Sequence, residues 1–193
     1  GSGKTPRPAS GREGRAVTAR VATARARTER AAELICPAGT PASLRAAVNA
    51  GADAVYAGWR DCTNARNFPG LNFSRAEMKD AIAFAHRRGV KVFVAVNTFA
   101  VAGNPGPWRT AIDDAARLEA DAAIVADIAV AAYAAKKYPD LRLHLSVQAS
   151  ASTAEAIGFF HREFGIRRVV LPRTLTIAEL ALLIRRVPVE AEV

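Results

Sequence analysis

The chain has 193 residues, half of them apolar, and a formal charge of +9; it can bury a sizeable core, and no run is long and apolar enough to span a bilayer. Its two cysteines, Cys36 and Cys62, stand in no metal-like spacing and do not suggest a disulfide scaffold, so a reducing, cytoplasmic setting is the easier reading. The basic balance is local: residues 1–32 hold eight Lys/Arg against two Glu, or +6, and the rest carries 19 against 16, or +3.

Residues 1–32 are rich in Arg and Ala, contain Gly and Pro early and lack large apolar residues. They read as a disordered basic leader or a non-native extension, and with no apolar face a transit peptide ranks lower. Gly1–Thr5 (GSGKT) is similar to the end of a phosphate-binding loop. The strand and first glycine that should precede it are missing, and Pro6 and Pro8 follow where a helix should start.

From Glu33 onward, apolar strand patterns alternate with helical ones. Strands are expected at Leu34–Cys36, Ala54–Tyr56, Val90–Val96, Ala122–Val125, Leu141–Val147 and Arg168–Leu171, with a seventh beginning near Val189. Thr40 and Pro41 suit a helix start and Gly51 its stop. A second helix runs from Ser74, with Glu77 completing a capping box, to about Arg88, burying Met78, Ile82 and Ala85. Pro107 begins a third and Asp127 can cap a fourth. Ser152 with Glu155 and Thr176 with Glu179 have the spacing of two further capping boxes, closed by Gly165 and Pro188.

Regular βα alternation implies a parallel sheet, and the unit length favours a (β/α) barrel of the TIM type. A doubly wound open sheet stays possible, because sequence does not give strand order. Six units and the start of a seventh strand fall short of eight, and Val193 stands inside an apparent strand. The expectation is a fragment, with an incomplete α/β barrel over residues 33–193.

The most informative passage is ADAVYAGWRDCTNARNFPGLNF, Ala52–Phe73. A βα loop is usually about 2–6 residues long, so one this long and polar reads as part of a site. Ligands gather at the C-terminal ends of parallel strands. Reading those positions gives a polar ring of Asn64, Arg66, Asn97, Asp127, Gln148, Arg173 and Glu192, with Thr98 and Ser150 beside it. The two Arg forks match a carboxylate or phosphate. Asp127 could equally be only a helix cap, and His144, Ser146 and Gln148 could form a network inside the barrel. His86 and His161 fall on helices, where packing roles suffice. There is no HExxH and no GxSxG, so nothing independent supports a protease, and no catalytic residue is assigned.

ELICPAG (Glu33–Gly39), NAGADAVYAG (Asn49–Gly58), TNARNFPGLNF (Thr63–Phe73), VNTFA (Val96–Ala100), HLSVQASAS (His144–Ser152) and VVLPRTLTI (Val169–Ile177) together resemble the collagenase-like peptidase family U32. Within it they look most like the ubiquinone-biosynthesis, UbiU-like branch. That resemblance implies an oxygen-independent hydroxylase subunit, a UbiV-like partner in a heterodimer, a small quinone precursor as substrate and a [4Fe–4S] cluster on four cysteines. The family's cluster cysteines lie beyond the stretch matched here. Cys36 matches a first-strand cysteine that is no ligand, and Cys62 stands where the branch has an acidic residue. No metal ligand is therefore expected in this chain, which should be inactive alone. Other members of the family act on RNA bases or are described as collagenases. The near-neutral charge of residues 33–193 argues against nucleic acid.

Overall fold

The computed structural model describes Gly1 and residues 32–193. The leader and GSGKT readings fall almost wholly on residues outside these.

Seven strands run in chain order: β1 (Ile35–Pro37), β2 (Ala54–Gly58), β3 (Lys91–Val96), β4 (Ala122–Val125), β5 (Leu143–Leu145), β6 (Arg168–Val170) and β7 (Glu190–Glu192). Each pairs in parallel with the next, in the order β1-β2-β3-β4-β5-β6-β7. That order excludes the doubly wound alternative and gives an incomplete TIM-like barrel. Six helices connect the strands: α1 (Pro41–Asn49), α2 (Arg75–His86), α3 (Gly106–Arg117), α4 (Ile128–Lys137), α5 (Ala154–Phe164) and α6 (Ile177–Ile184).

The helix ends follow local chemistry. Thr40 caps α1, with Pro41 in its first turn. Capping boxes form at Ser74/Glu77 and Thr176/Glu179, and Gly165 ends α5 in the left-handed conformation. The expected Ser152/Glu155 box is not the one used. Thr153 caps α5 instead, accepting from the Ala156 N–H at 3.2 Å. The expected long fifth strand is also cut short. The Ser146 hydroxyl accepts from the Gln148 N–H at 3.2 Å and turns Val147–Ala149 into a 3₁₀ turn.

Alternation along the strands splits the core. Val92, Val94 and Val96 of β3 pack outward with Met78, Ile82 and Ile112 of the helices. Phe93 turns inward to Ala54, Ala122 and Ile124, with Ile35 and Tyr56 beside them. The inner face is apolar across β1–β4 except for Lys91 at the start of β3, and carries His144, Arg168, Glu190 and Glu192 across β5–β7. Arg168, 7% exposed, reaches Glu33 ahead of β1 at 2.5 Å and Glu190 of β7 at 2.5 Å, with its guanidinium 5.6 Å from the Phe93 ring centre. Lys91 pairs with Glu33 and Arg142 with Glu190. A cavity of about 160 Å³ opens at this N-terminal end of the strands, lined by Glu33, Lys91, Arg142 and Glu190 among others. In barrels that end carries stability rather than chemistry.

Burial and these charges together set the protonation of His144, which is fully buried. Burial first, and then the charges of Arg168 and Arg142, push it down to about 3. Glu33 is held at about 2: burial alone would raise it, but hydrogen bonds from Arg168 and Lys91 prevail. A histidine depressed in the folded state is protonated first in the unfolded chain, so its effect is to lower stability as pH falls from about 6.5 towards 3. Glu33 acts in the same direction, its contribution fading from about 4.5 down through 2. We expect the urea midpoint to fall on acidification below pH 6.5, with His144 contributing a slope of up to about 1.4 kcal/mol per pH unit. His144→Phe should remove that share of the slope. Equal slopes for variant and wild type between pH 6.5 and 5, measured by circular dichroism, would rule the assignment out.

Candidate functional site

The long β2–α2 loop is closed at its neck by backbone. Trp59 and Phe73 form a parallel bridge, with Arg60 N–H to Phe73 C=O at 2.9 Å and Phe73 N–H to Gly58 C=O at 3.1 Å. Both rings are fully buried, and Trp59 Nε1 donates to the Ala111 carbonyl of α3 at 3.2 Å. The Arg75 guanidinium lies 4.5 Å from the Trp59 ring centre and bonds Asp61 at 2.6 Å and Asp114 at 2.8 Å. Arg117 bonds the other oxygen of Asp114. The second oxygen of Asp61 accepts from the Thr63 N–H and hydroxyl at 3.0 and 2.6 Å. Burial would raise the Asp61 carboxyl, but the bonds from Thr63 and Arg75 hold it below the ordinary range.

Within this frame the loop's polar side chains divide into two sets. Asn64 is buried: its Nδ2 donates to Asn72 Oδ1 at 2.8 Å and its Oδ1 accepts from the Arg66 N–H at 3.1 Å. Asn72, also buried, returns a bond to the Arg66 carbonyl at 2.8 Å and has φ of 72°, a conformation asparagine tolerates better than most residues. Asn72 and Thr63 were missed from sequence. Arg66, Asn67 and Phe68 face solvent, and the Arg66 guanidinium has no hydrogen bond or ion pair among the described residues.

Neighbouring loops are fastened to this one. Asn97, just past β3, accepts from the Ala65 N–H at 3.0 Å and donates to the Ser146 hydroxyl at 3.4 Å; its own N–H bonds the Thr63 carbonyl at 2.9 Å. Thr98 donates to the Cys62 carbonyl at 2.7 Å and accepts from Trp108 Nε1 at 2.9 Å. Asp127 caps α4 through the Ala129 and Val130 N–H groups and takes the Ala100 N–H at 3.2 Å with its other oxygen. Hydrogen bonds therefore bring the loops of Asn64, Arg66, Asn97, Asp127 and Gln148 together. Gln148 is exposed on the 3₁₀ turn, and Arg173 is exposed after β6. Glu192 stands apart, in the lumen beside Arg168. His86 pairs with Asp121 and His161 bonds the Ile166 carbonyl, so both serve packing.

This surface also exposes apolar groups that the sequence did not flag: Phe68 (58%) and Phe99 (60%), with Leu71, Val101 and Ile128. Among the described residues no group of His, Cys, Asp and Glu could hold a metal ion. Two cysteines, Cys36 in β1 and Cys62 in the loop, cannot supply the four thiolates of a [4Fe–4S] cluster.

The model of peptidase family U32 matches residues 39–193. The chain belongs to peptidase family U32. It is 36% identical over 166 residues to tRNA hydroxylation protein P of Haemophilus influenzae, covering 83% of this chain and 35% of that protein. Its identity to a collagenase of Porphyromonas gingivalis is 34% over 143 residues, covering 74% and 33%. Against the 23S rRNA 5-hydroxycytidine C2501 synthase of Escherichia coli it is 32% over 148 residues, covering 77% and 22%. The chain thus spans about a third or less of the length of these relatives. Among solved structures, oxaloacetate acetylhydrolase superposes with a TM-score of 0.57 at 16% identity, covering 81% of this chain and 64% of that one. DHDPS from Cyanidioschyzon merolae gives 0.54 at 13%, covering 80% and 60%. These two share the fold and say nothing of chemistry.

The U32 loop rests on one glycine. A Cβ on Gly58 would lie 2.0 Å from Asn64 Nδ2 and 2.4 Å from its Cγ. Gly58→Ala should expel the Asn64 side chain, break its bond to Asn72 and cost about 1–3 kcal/mol. Hydrogen exchange should show lost protection at the Arg66 amide. Unchanged melting and exchange would show that the loop does not depend on this contact.

Proposed function

We propose that this chain is the substrate-holding barrel portion of a U32 hydroxylation protein acting on an RNA base. The observation that carries the reading is the C-terminal face, where exposed Phe68 and Phe99 lie on loops fastened to each other and the Arg66 guanidinium is left without a partner among the described residues. Arg173, equally unpaired, follows β6 at the same end of the sheet. Unpaired bases stack on aromatic rings, and phosphates take Arg forks. Relatives named for tRNA and rRNA hydroxylation support this reading. The net charge of residues 33–193 weighed against it, but recognition depends on the local balance of one face, and here the exposed Arg66 shares its loop with the exposed Phe68.

The chain's own work is to bind and orient. Phe68 and Phe99 would hold a base by its faces, Arg66 and Arg173 the flanking phosphates. Asn97 and Asp127 keep the loops in place through the bonds described above. A [4Fe–4S] cluster would supply redox chemistry in a longer protein, but no step here runs through residues of this chain.

A second reading keeps the UbiU-like role, with a quinone precursor and a UbiV-like partner. The same Phe pair, with Leu71, Val101 and Ile128, favours any flat apolar ring. That ligand needs no phosphate contact, so the arginines decide between the two. The peptidase reading finds no supporting arrangement among the described residues.

For RNA, titration of a single-stranded oligonucleotide by fluorescence anisotropy should show Arg66→Ala and Arg173→Ala each reducing the salt slope by about 1. Phe68→Ala and Phe99→Ala should each weaken binding about 5- to 100-fold, the range of one lost base stack. Because all four variants retain residues 1–32, non-specific binding by that basic segment is common to every arm. Unchanged affinity and slope in all four would remove the RNA reading. Binding of a quinone precursor that depends on the phenylalanines alone would favour the second.

A further inference from the structure

On the inner face of β5–β7, three buried polar atoms make no hydrogen bond within the described residues: His144 Nδ1, Arg168 Nη1 and Glu192 Oε2. They belong to neighbours. His144 is the register partner of Arg168, and Arg168 and Val170 are the partners of Glu190 and Glu192. Arg168 spends Nε and Nη2 on Glu190 and Glu33, which leaves Nη1 facing Glu192 Oε2 at 3.8 Å. A charge-assisted bond would be about 2.7–2.9 Å, so the two are not bonded directly, and this spacing is one that a bridging oxygen spans. His144 Nε2 accepts from Arg142 Nε at 3.1 Å. The neutral ring therefore carries its proton on Nδ1, and Nδ1 is a donor.

We infer that the barrel lumen between Arg168 and Glu192 is a binding site for one hydroxyl group, from an ordered water or from the alcohol of a small ligand. The count of donors and acceptors selects that group. Arg168 Nη1 offers a proton and Glu192 Oε2 a lone pair 3.8 Å away, and an O–H can accept from the first while donating to the second. A carboxylate or phosphate fits badly, because it has no proton for Glu192 and would lie against that carboxylate's charge. Glu33 and Glu190, already on Arg168, add further negative charge nearby. Next to the Arg168 guanidinium the lumen is apolar. The Phe93 ring lies 4.7 Å from the His144 ring, edge to face, with Ile124 and Ala122 beside it. An alcohol would place its O–H on the polar side and a short aliphatic tail against Phe93. The site lies inside the sheet and is independent of the RNA reading of the loops.

The test is a high-resolution crystal structure of the full chain grown with and without 2-propanol. A density peak about 2.6–3.2 Å from both Arg168 Nη1 and Glu192 Oε2 is expected. A peak that gains a tail against Phe93 in 2-propanol identifies a ligand-hydroxyl site, and one that stays spherical identifies a structural water. Either bears the inference out. Glu192→Gln keeps an acceptor and should keep the peak, whereas Glu192→Leu should lose it, with circular dichroism confirming the fold of both. Direct contact of Arg168 with Glu192 and no peak, an anion in that place, or a peak that survives in Glu192→Leu would overturn it.

Discussion

Arg168 holds the curl of the sheet. It sits at the start of β6, inside the lumen, and bonds both Glu33 ahead of β1 and Glu190 of β7. Burying the Arg168 guanidinium, with Glu33 partly buried beside it, carries a desolvation cost that only close, well-satisfied geometry offsets. Removing the guanidinium would leave two carboxylates facing each other, the more damaging outcome for such pairs. The contact spans 135 residues of sequence and joins the region near one outer strand to the other. Burial first, and then the charge of Arg168, keeps His144 neutral, and its protonless Nε2 accepts from Arg142.

At the opposite end of the strands the organisation is by hydrogen bonds rather than ion pairs. Asp61, Thr63, Asn64 and Asn72 turn inward and satisfy the loop's own backbone, as a long irregular segment requires. Their neighbours Arg66 and Phe68 are thereby held outward. The loop's rigidity is borrowed from α3, through Arg75–Asp114 and Trp59–Ala111, and from β3, through Asn97. A mobile loop could carry the same residues but would lose ordering entropy on binding; a fastened one has already lost it in folding.

Much of the fold was legible in the sequence because it is encoded locally. Thr40, Ser74, Asp127 and Thr176 are caps wherever a helix follows them, and the apolar runs of β2–β4 read as buried strands. Failures came where two local options were equivalent. Ser152 and Thr153 could each cap α5, and the choice fell to the second. The alternation His144–Ser146–Gln148 predicted a continuing strand, but the Ser146 hydroxyl offered the backbone a turn. For the candidate site, the position of the ring residues along the chain was legible, but their orientation was not. Asn64 and Arg66 are two residues apart, one consumed by the scaffold and the other free.

The sequence by itself determined the parallel βα order, the helix limits and membership of the U32 family, since caps, periodicity and motif order all act over short spans of chain. Only the tertiary structure decided which polar groups are spent and which are available. The Glu33–Arg168–Glu190 contact, the exposure of Phe68 and Phe99 on a shared face and the unpaired atoms beside Glu192 all depend on the curl of the sheet. Curvature brings residues together that no local spacing relates, and a buried polar atom reveals its need for a partner only once its neighbours are fixed.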